Sequence, residues 1–130
     1  VGNGKGPTMF AGSTASGAIR RSLIGFDLSA LPAHAKIESA SVRLHLSKTT
    51  SGATLQSLFA LTAPWGEGPS NAGDPGGSGT AAQPDDATWG FAFYNTTAWT
   101  TPGGVFAASA SPRSRPASSN ARAVPAGSLR

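Results

Sequence analysis

The clearest alternation of apolar and polar positions lies between residues 39 and 48. The segment reads SASVRLHLSK, in which Ala40, Val42, Leu44 and Leu46 alternate with polar residues. Because successive side chains of a β-strand point to opposite faces of a sheet, one face of this segment would be buried and the other solvated. The pattern predicts a strand of an antiparallel sheet.

Other segments of the chain also carry strand patterns. IRRSLIGFDL, residues 19–28, places Ile24, Phe26 and Leu28 on one face. SGATLQSLFALTAPW, residues 51–65, has apolar residues in period-two spacing, and the aromatics of residues 86–109 surround a short strand and a Pro-Gly-Gly turn. These alternating runs, separated by Gly- and Pro-rich turns, predict an all-β fold.

Composition supports strands over helices. The 130 residues include 17 Gly and 10 Pro, and only 12% are charged, whereas surface helices usually carry many Glu and Lys residues. We therefore predict an antiparallel β-sandwich with long Gly/Pro-rich loops, formed by one module over residues 1–111. Residues 112–130 read as a basic, Pro-rich tail that is disordered or a linker.

The net positive charge of the chain lies in this tail. Residues 1–112 contain six Lys or Arg and six Asp or Glu, and the net charge of +4 comes from Arg113, Arg115, Arg122 and Arg130. Because no basic stripe on the body is interleaved with aromatics, we expect no nucleic-acid partner. The chain has no cysteine and no apolar run near 18 residues, so we expect neither disulfides nor a membrane span.

Several motifs together resemble a known family. RRSLIGFDLSALPAHAKIESASVRLHLS, then WGEG (65–68), DATW (86–89) and WTTPGGVF (99–106), are similar to the DNRLRE-type modules of secreted bacterial and archaeal proteins. Those modules are related to disaggregatase repeats and to a carbohydrate-binding family that includes alginate binders. The likeness covers roughly residues 4 to 110. Val105 stands where the family has Asp, and the family's first strand would lie before Val1.

The resemblance implies a jelly-roll-like β-sandwich attached to large extracellular enzymes or surface proteins, without catalysis of its own. It places the chain outside the cell, as a secreted or cell-surface module that contributes to adhesion.

Two pairs of residues are candidates for ligand binding. Trp65 and Glu67 begin the loop PWGEGPSNAGDPGGSGT, where an indole face suits a pyranose and a carboxylate accepts hydroxyl hydrogen bonds. The alternative, which we favour for this pair, is that Trp65 caps the core and Glu67 accepts backbone N–H groups of the loop. Tyr94 and Trp99 flank a turn, and we expect them to face solvent as a sugar-binding pair.

The neighbouring aromatics are assigned differently. Trp89, Phe91 and Phe93 share one face of a strand, and we expect them to pack in the core.

The sequence supports catalysis and metal binding less than it supports ligand binding. Glu67 with Asp85 or Asp86 is the only carboxylate pair suited to glycoside hydrolysis, and neither histidine carries an activating motif. Loop carboxylates are more often solvated or capping turns, so we predict no enzyme activity. We expect no cofactor, although Asp74, Asp85 and Asp86 with nearby carbonyls are suited to Ca²⁺.

Two functions remain open at this point. The first is a non-catalytic extracellular module that binds a polysaccharide or cell-surface glycan. The second is a structural subunit of an extracellular fibre or coat, in which copies form a homo-oligomer through exposed strand edges.

Overall fold

The computed structural model describes residues 1–49, 52 and 54–111, and the backbone of 116–117. Six short strands lie in this part of the chain, which contains no helix. They form three two-stranded antiparallel sheets, so the prediction of an all-β fold is confirmed. The strands are β1 (Gly12–Ser13), β2 (Ile19–Arg20), β3 (Thr54–Leu55), β4 (Phe91–Phe93), β5 (Thr97–Ala98) and β6 (Pro116–Ala117).

The chain divides into two compact units. The first comprises residues 1–22 and the described residues from 57 to 111; the second comprises the described residues of 23–56 and the strand 116–117. The first unit contains the hairpins β1–β2 and β4–β5, and the second contains the pair β3–β6. The predicted module boundary at residue 111 stays a prediction, and most of the predicted tail lies outside the described residues.

Two isolated bridges join distant segments of the first unit. Gly2 pairs with Thr80 and Leu61 pairs with Phe106, both antiparallel. The second bridge continues as a ladder, because the N–H of Thr62 donates to the carbonyl of Val105 at 2.9 Å and that of Ala107 donates to Ala60 at 2.9 Å. Residues 60–62 and 105–107 therefore lie side by side.

The β4–β5 hairpin carries the buried apolar side chains of the first unit. Phe91 pairs with Ala98 and Phe93 with Thr97, with a register irregularity between the two pairs. Ala92 is 4% exposed, whereas Phe91 and Phe93 on the other side are half-buried. The small side chain therefore faces the interior, and the prediction that the aromatic face of this strand forms the core is wrong.

The alternating segment 39–48 does not form a strand. Val42 is 44% exposed and Leu44 is 53% exposed, so the predicted buried face is open to solvent. A β-strand requires a neighbour that accepts and donates its backbone hydrogen bonds. Within the described residues, residues 36–48 make no backbone hydrogen bond. The alternation is present in the sequence, but no described strand pairs with this segment.

The segment 19–28 forms a strand only at its beginning. Ile19 and Arg20 pair with β1, and the chain then leaves the sheet. Phe26 is 63% exposed, so this apolar position is not in a core. Asp27 Oδ1 accepts a hydrogen bond from the Ser29 N–H at 2.9 Å, which starts a turn in place of a longer strand.

The described residues contain no helix long and apolar enough to cross a membrane.

Candidate functional site

The Pro-Gly-Gly turn organises an exposed group of side chains in the first unit. The N–H of Gly103 donates to the carbonyl of Trp89 at 2.7 Å. The carbonyl of Gly103 accepts a hydrogen bond from Arg21 Nη1, also at 2.7 Å. Gly103 thus fixes the positions of an arginine and a tryptophan that are far apart in sequence.

Only glycine suits this position. Gly103 has φ +88°, in the region that L side chains rarely adopt. A methyl group there would lie 2.6 Å from Arg21 Nη1 and 3.0 Å from the indole of Trp89. The turn motif found in the sequence therefore has a local structural reason.

The guanidinium of Arg21 lies over two aromatic rings. Its Cζ is 5.0 Å from the ring centroid of Trp89 and 4.9 Å from that of Phe106. Both distances are within the range of cation–π attraction, to which arginine is well suited because its charge is delocalised over a plane. The three side chains hold one another in place.

Phe59 extends this group by one more ring. Its centroid is 5.2 Å from that of Phe106, with an interplanar angle of 54°. The paired backbones of residues 60–62 and 105–107 bring the two phenylalanines together. We call Arg21, Phe59, Trp89 and Phe106 the arginine–aromatic cluster.

The arginine–aromatic cluster is open to solvent. Trp89 is 47% exposed, Phe59 44% and Phe106 37%. Arg21 is exposed as well, and of its five N–H groups one donates to Gly103. An exposed aromatic surface beside a charged hydrogen-bond donor suits a ligand with one apolar and one polar side.

Trp99 is not part of this surface. It is 8% exposed, and its indole N–H donates to the carbonyl of Thr88 at 2.9 Å. Its backbone N–H donates to the carbonyl of Gly90 at 3.1 Å. The expectation that Trp99 faces solvent is therefore wrong, because the indole and the backbone are both tied to the turn that precedes β4.

The other predicted aromatics are half-buried. Tyr94 packs edge-on against Phe91, with ring centroids 5.6 Å apart, and its backbone N–H donates to the carbonyl of Asp86 at 2.8 Å. Trp65 is also half-buried, next to Gly66, whose N–H donates to the carbonyl of Ala92 at 3.0 Å. No ring contact joins either of them to Trp99 in the described part of the chain. Their role in binding stays a prediction.

The loop that begins at Glu67 is anchored by a different carboxylate. Glu67 is exposed, and its side chain makes no hydrogen bond to any described residue. Asp86 is 1% exposed and accepts backbone N–H groups from Ser70 at 3.2 Å and Gln83 at 2.7 Å. The predicted anchoring of the loop by a carboxylate exists, but the residue assigned to it was wrong.

The described residues give no geometric support to calcium binding. Among the described residues, no three His, Cys, Asp or Glu side chains lie together as a metal-binding group, so Asp74, Asp85 and Asp86 are not assembled into one. Asp74 lines a shallow depression of about 230 Å³, formed by Ala72 and residues 74–79. That depression is mainly backbone and small side chains.

Sequence reasoning missed the arginine–aromatic cluster for a physical reason. Trp89 was placed in a strand with Phe91 and therefore in the core. The chain turns instead, since the Thr88 N–H donates to the Phe91 carbonyl at 2.9 Å and the Phe91 N–H donates to Thr88 Oγ1 at 3.2 Å. The alternation rule does not extend through a turn. Gly90, next to Trp89, is the residue in the sequence that indicates this turn.

Comparison of the chain with protein-family models, with curated proteins and with solved structures finds no match.

Proposed function

We propose that this chain is a non-catalytic extracellular module, secreted or held at a cell surface, that binds a polysaccharide or cell-surface glycan. The observation that supports the proposal is the half-exposed indole of Trp89, 47% accessible, beside the guanidinium of Arg21. The resemblance to DNRLRE-type modules agrees with it. A jelly-roll-like sandwich is the fold that we propose for the complete module.

The chemistry of the cluster suits a sugar ring. A pyranose presents C–H groups on one face and hydroxyl groups at its edge. The indole of Trp89 offers an apolar surface for the C–H face, and the N–H groups of Arg21 offer donors for hydroxyl oxygens. Open sites of this kind bind in the millimolar to micromolar range, roughly −4 to −8 kcal/mol.

A glycan-array screen followed by calorimetric titration of the best glycan tests the proposal. We expect Trp89→Ala to weaken binding about tenfold, which corresponds to about 1.4 kcal/mol. Phe26→Ala is the control, because Phe26 is also an exposed aromatic (63%) and lies outside the cluster. The proposed function fails if no glycan binds the wild type, and equal binding of the two variants excludes the arginine–aromatic cluster as the site.

The residues predicted from the sequence are tested in the same titration. Trp65→Ala, Glu67→Ala and Tyr94→Ala report whether the loop and the β4–β5 turn add to the surface. If these variants lose affinity for the glycan and Trp89→Ala does not, the binding site is formed by the residues predicted from the sequence.

A second candidate function is the structural subunit of a fibre or coat. One observation favours it: the alternating residues Val42 and Leu44 are exposed, in a segment without backbone hydrogen bonds to any described residue. Such a segment is suited to pairing with a strand of another chain.

Light scattering across a dilution series tests this second function. We expect the mass of the wild type to rise with concentration, and Leu44→Asp to abolish the rise by placing a charge on the apolar row. A monomer at every concentration excludes the structural function and leaves glycan binding as the remaining proposal.

A further inference from the structure

The beginning of the chain lies in a groove that accepts it as an extended peptide. The N–H of Gly2 donates to the Thr80 carbonyl, and the Thr80 N–H donates back to the Gly2 carbonyl, each at 3.0 Å. Gly4 N–H donates to Ser70 Oγ at 3.2 Å, and Lys5 N–H donates to the Ser70 carbonyl at 2.9 Å. These bonds join residues separated by more than 60 positions.

The side chain of Asn3 completes the contact. Its Oδ1 accepts the N–H of Ala72 at 2.9 Å, and its Nδ2 donates to the Thr8 carbonyl at 3.2 Å. Asn3 therefore both binds the loop and keeps the segment that follows it folded back. Thr8 Oγ1 in turn donates to the Pro75 carbonyl at 2.9 Å. We call the surface formed by Ser70, Ala72 and Thr80 the acceptor groove.

The acceptor groove excludes side chains at two alternate positions. A methyl group at Gly2 would lie 2.5 Å from Asp86 Oδ2 and 2.6 Å from Ser70 Oγ. A methyl group at Gly4 would collide with the carbonyl oxygen of Glu67. Ser70 is 0% exposed and Asp86 1%, and the Asp86 carboxylate at Gly2 is held by the N–H groups of Ser70 and Gln83. This carboxylate cannot move aside without breaking those bonds.

We infer that the acceptor groove is a peptide-binding site for an extended Gly-Asn-Gly strand, which in this structure is occupied by the chain's own residues 2–5 and which takes the same segment from a second copy. The ligand is recognised by backbone hydrogen bonds, by one asparagine and by the absence of side chains at alternate positions. This is strand addition to an edge, with steric specificity for glycine. The inference goes beyond glycan binding and does not rest on it.

The chain's own residues 2–5 and the same segment of a second copy compete for the acceptor groove. This competition determines the affinity that is measured for the second copy. The chain's own segment is tethered and therefore present at high effective concentration. A second copy therefore binds the intact chain with lower apparent affinity than a chain whose own segment is weakened, and needs a larger excess to displace that segment. Asn3→Ala weakens it by removing the bonds to Ala72 and Thr8 without creating a clash.

The experiment measures fluorescence anisotropy of a peptide of residues 1–8, labelled at its carboxyl end, against full-length chains. We expect saturable binding to the Asn3→Ala chain about tenfold tighter than to the wild type. The control peptide carries Gly4→Val and should bind at least tenfold more weakly than the glycine peptide. Absence of binding to the Asn3→Ala chain, or equal binding of both peptides, overturns the inference.

A second measurement uses the wild type alone, in case the variant does not fold. The ¹⁵N-labelled chain is titrated with excess unlabelled peptide, and the amide resonances of Gly2 and Lys5 are followed. Displacement of the chain's own segment should move both toward random-coil positions, while the amide of Ala72 remains protected. If Gly2 and Lys5 do not move at a large excess of peptide, the groove does not exchange its strand and the inference is wrong.

Discussion

Asp86 Oδ1 accepts a hydrogen bond from the backbone N–H of Ser70, with 3.2 Å between the two atoms, and both residues are buried. Its second oxygen accepts the N–H of Gln83 at 2.7 Å. One carboxylate thus closes the turn that contains it and holds the Gly/Pro-rich loop 16 residues away. The buried carboxylate is tolerated because backbone donors replace its water.

Replacement of Asp86 should destabilise the first unit. Asp86→Ala leaves the buried N–H of Ser70 and the part-buried N–H of Gln83 without an acceptor, and we expect a loss of about 2–4 kcal/mol in the free energy of unfolding. Urea unfolding followed by tryptophan fluorescence measures it. Glu67→Ala is the matched control, since that exposed carboxylate holds no described residue, and it should change stability by less than about 0.5 kcal/mol. Equal effects of the two substitutions would contradict the assignment.

Gly103 should be needed for the arginine–aromatic cluster. Gly103→Ala combines an unfavourable φ of +88° with contact against Arg21 and Trp89, and we expect a loss of about 1–3 kcal/mol. Gly90→Ala is the control, because a methyl group there meets no atom within 4 Å. The midpoint of thermal unfolding compares the two variants. If Gly90→Ala is the more harmful, the described geometry of the turn is wrong.

The three tryptophans should differ in access to solvent. Trp89 is 47% exposed and Trp99 is 8% exposed, with its indole N–H bonded to the Thr88 carbonyl. In variants that keep a single tryptophan, with the other two replaced by phenylalanine, acrylamide should quench Trp89 several-fold more efficiently than Trp99. Similar quenching constants would restore the expectation that Trp99 faces solvent.

Asp27 should titrate below the usual range. The N–H of Ser29 donates to its carboxylate and lowers the pKa of Asp27 below 3.8, helped by the Ser29 hydroxyl and opposed by slight desolvation. The folded-state pKa thus lies below the unfolded value. Its stabilisation of the turn is present above the unfolded pKa and is lost as pH falls through the folded pKa.

A carbon-13 NMR titration of the carboxyl groups measures this pKa. In Ser29→Pro, which has neither the N–H nor the hydroxyl, the pKa of Asp27 should return to its ordinary value of about 3.8. An unchanged pKa in that variant would show that the Ser29 bonds do not stabilise the charge.

The fold class could be predicted because helix formation depends on residues close together in the sequence. Abundant Gly and Pro and a scarcity of Glu and Lys disfavour helices along the chain, and the described structure is all-β. The strand predicted at 39–48 did not form, because strand formation depends on a partner that the alternation of Val42 and Leu44 does not specify. Periodicity predicts which face can be buried, not whether another segment covers it.

The candidate site could be predicted only in part for a similar reason. The Pro-Gly-Gly turn was visible in the sequence, but the carboxylate that anchors the loop is Asp86 and not Glu67, to which the sequence analysis assigned it. The partner of the turn is Arg21, which lies 82 residues away and carries no local pattern that points to Gly103. Trp89 was assigned to the core by its alternation with Phe91. The hydrogen bond from the Phe91 N–H to Thr88 Oγ1, which periodicity does not reveal, turns the chain before β4 begins.

The bond between Arg21 and Gly103 also bears on how the first unit folds. Arg21 and Gly103 lie 82 positions apart, and Gly2 and its partner Thr80 are likewise distant in sequence. Contacts of such large sequence separation slow folding, because a long loop closes before they form. The first unit is therefore completed only after these two long-range contacts close.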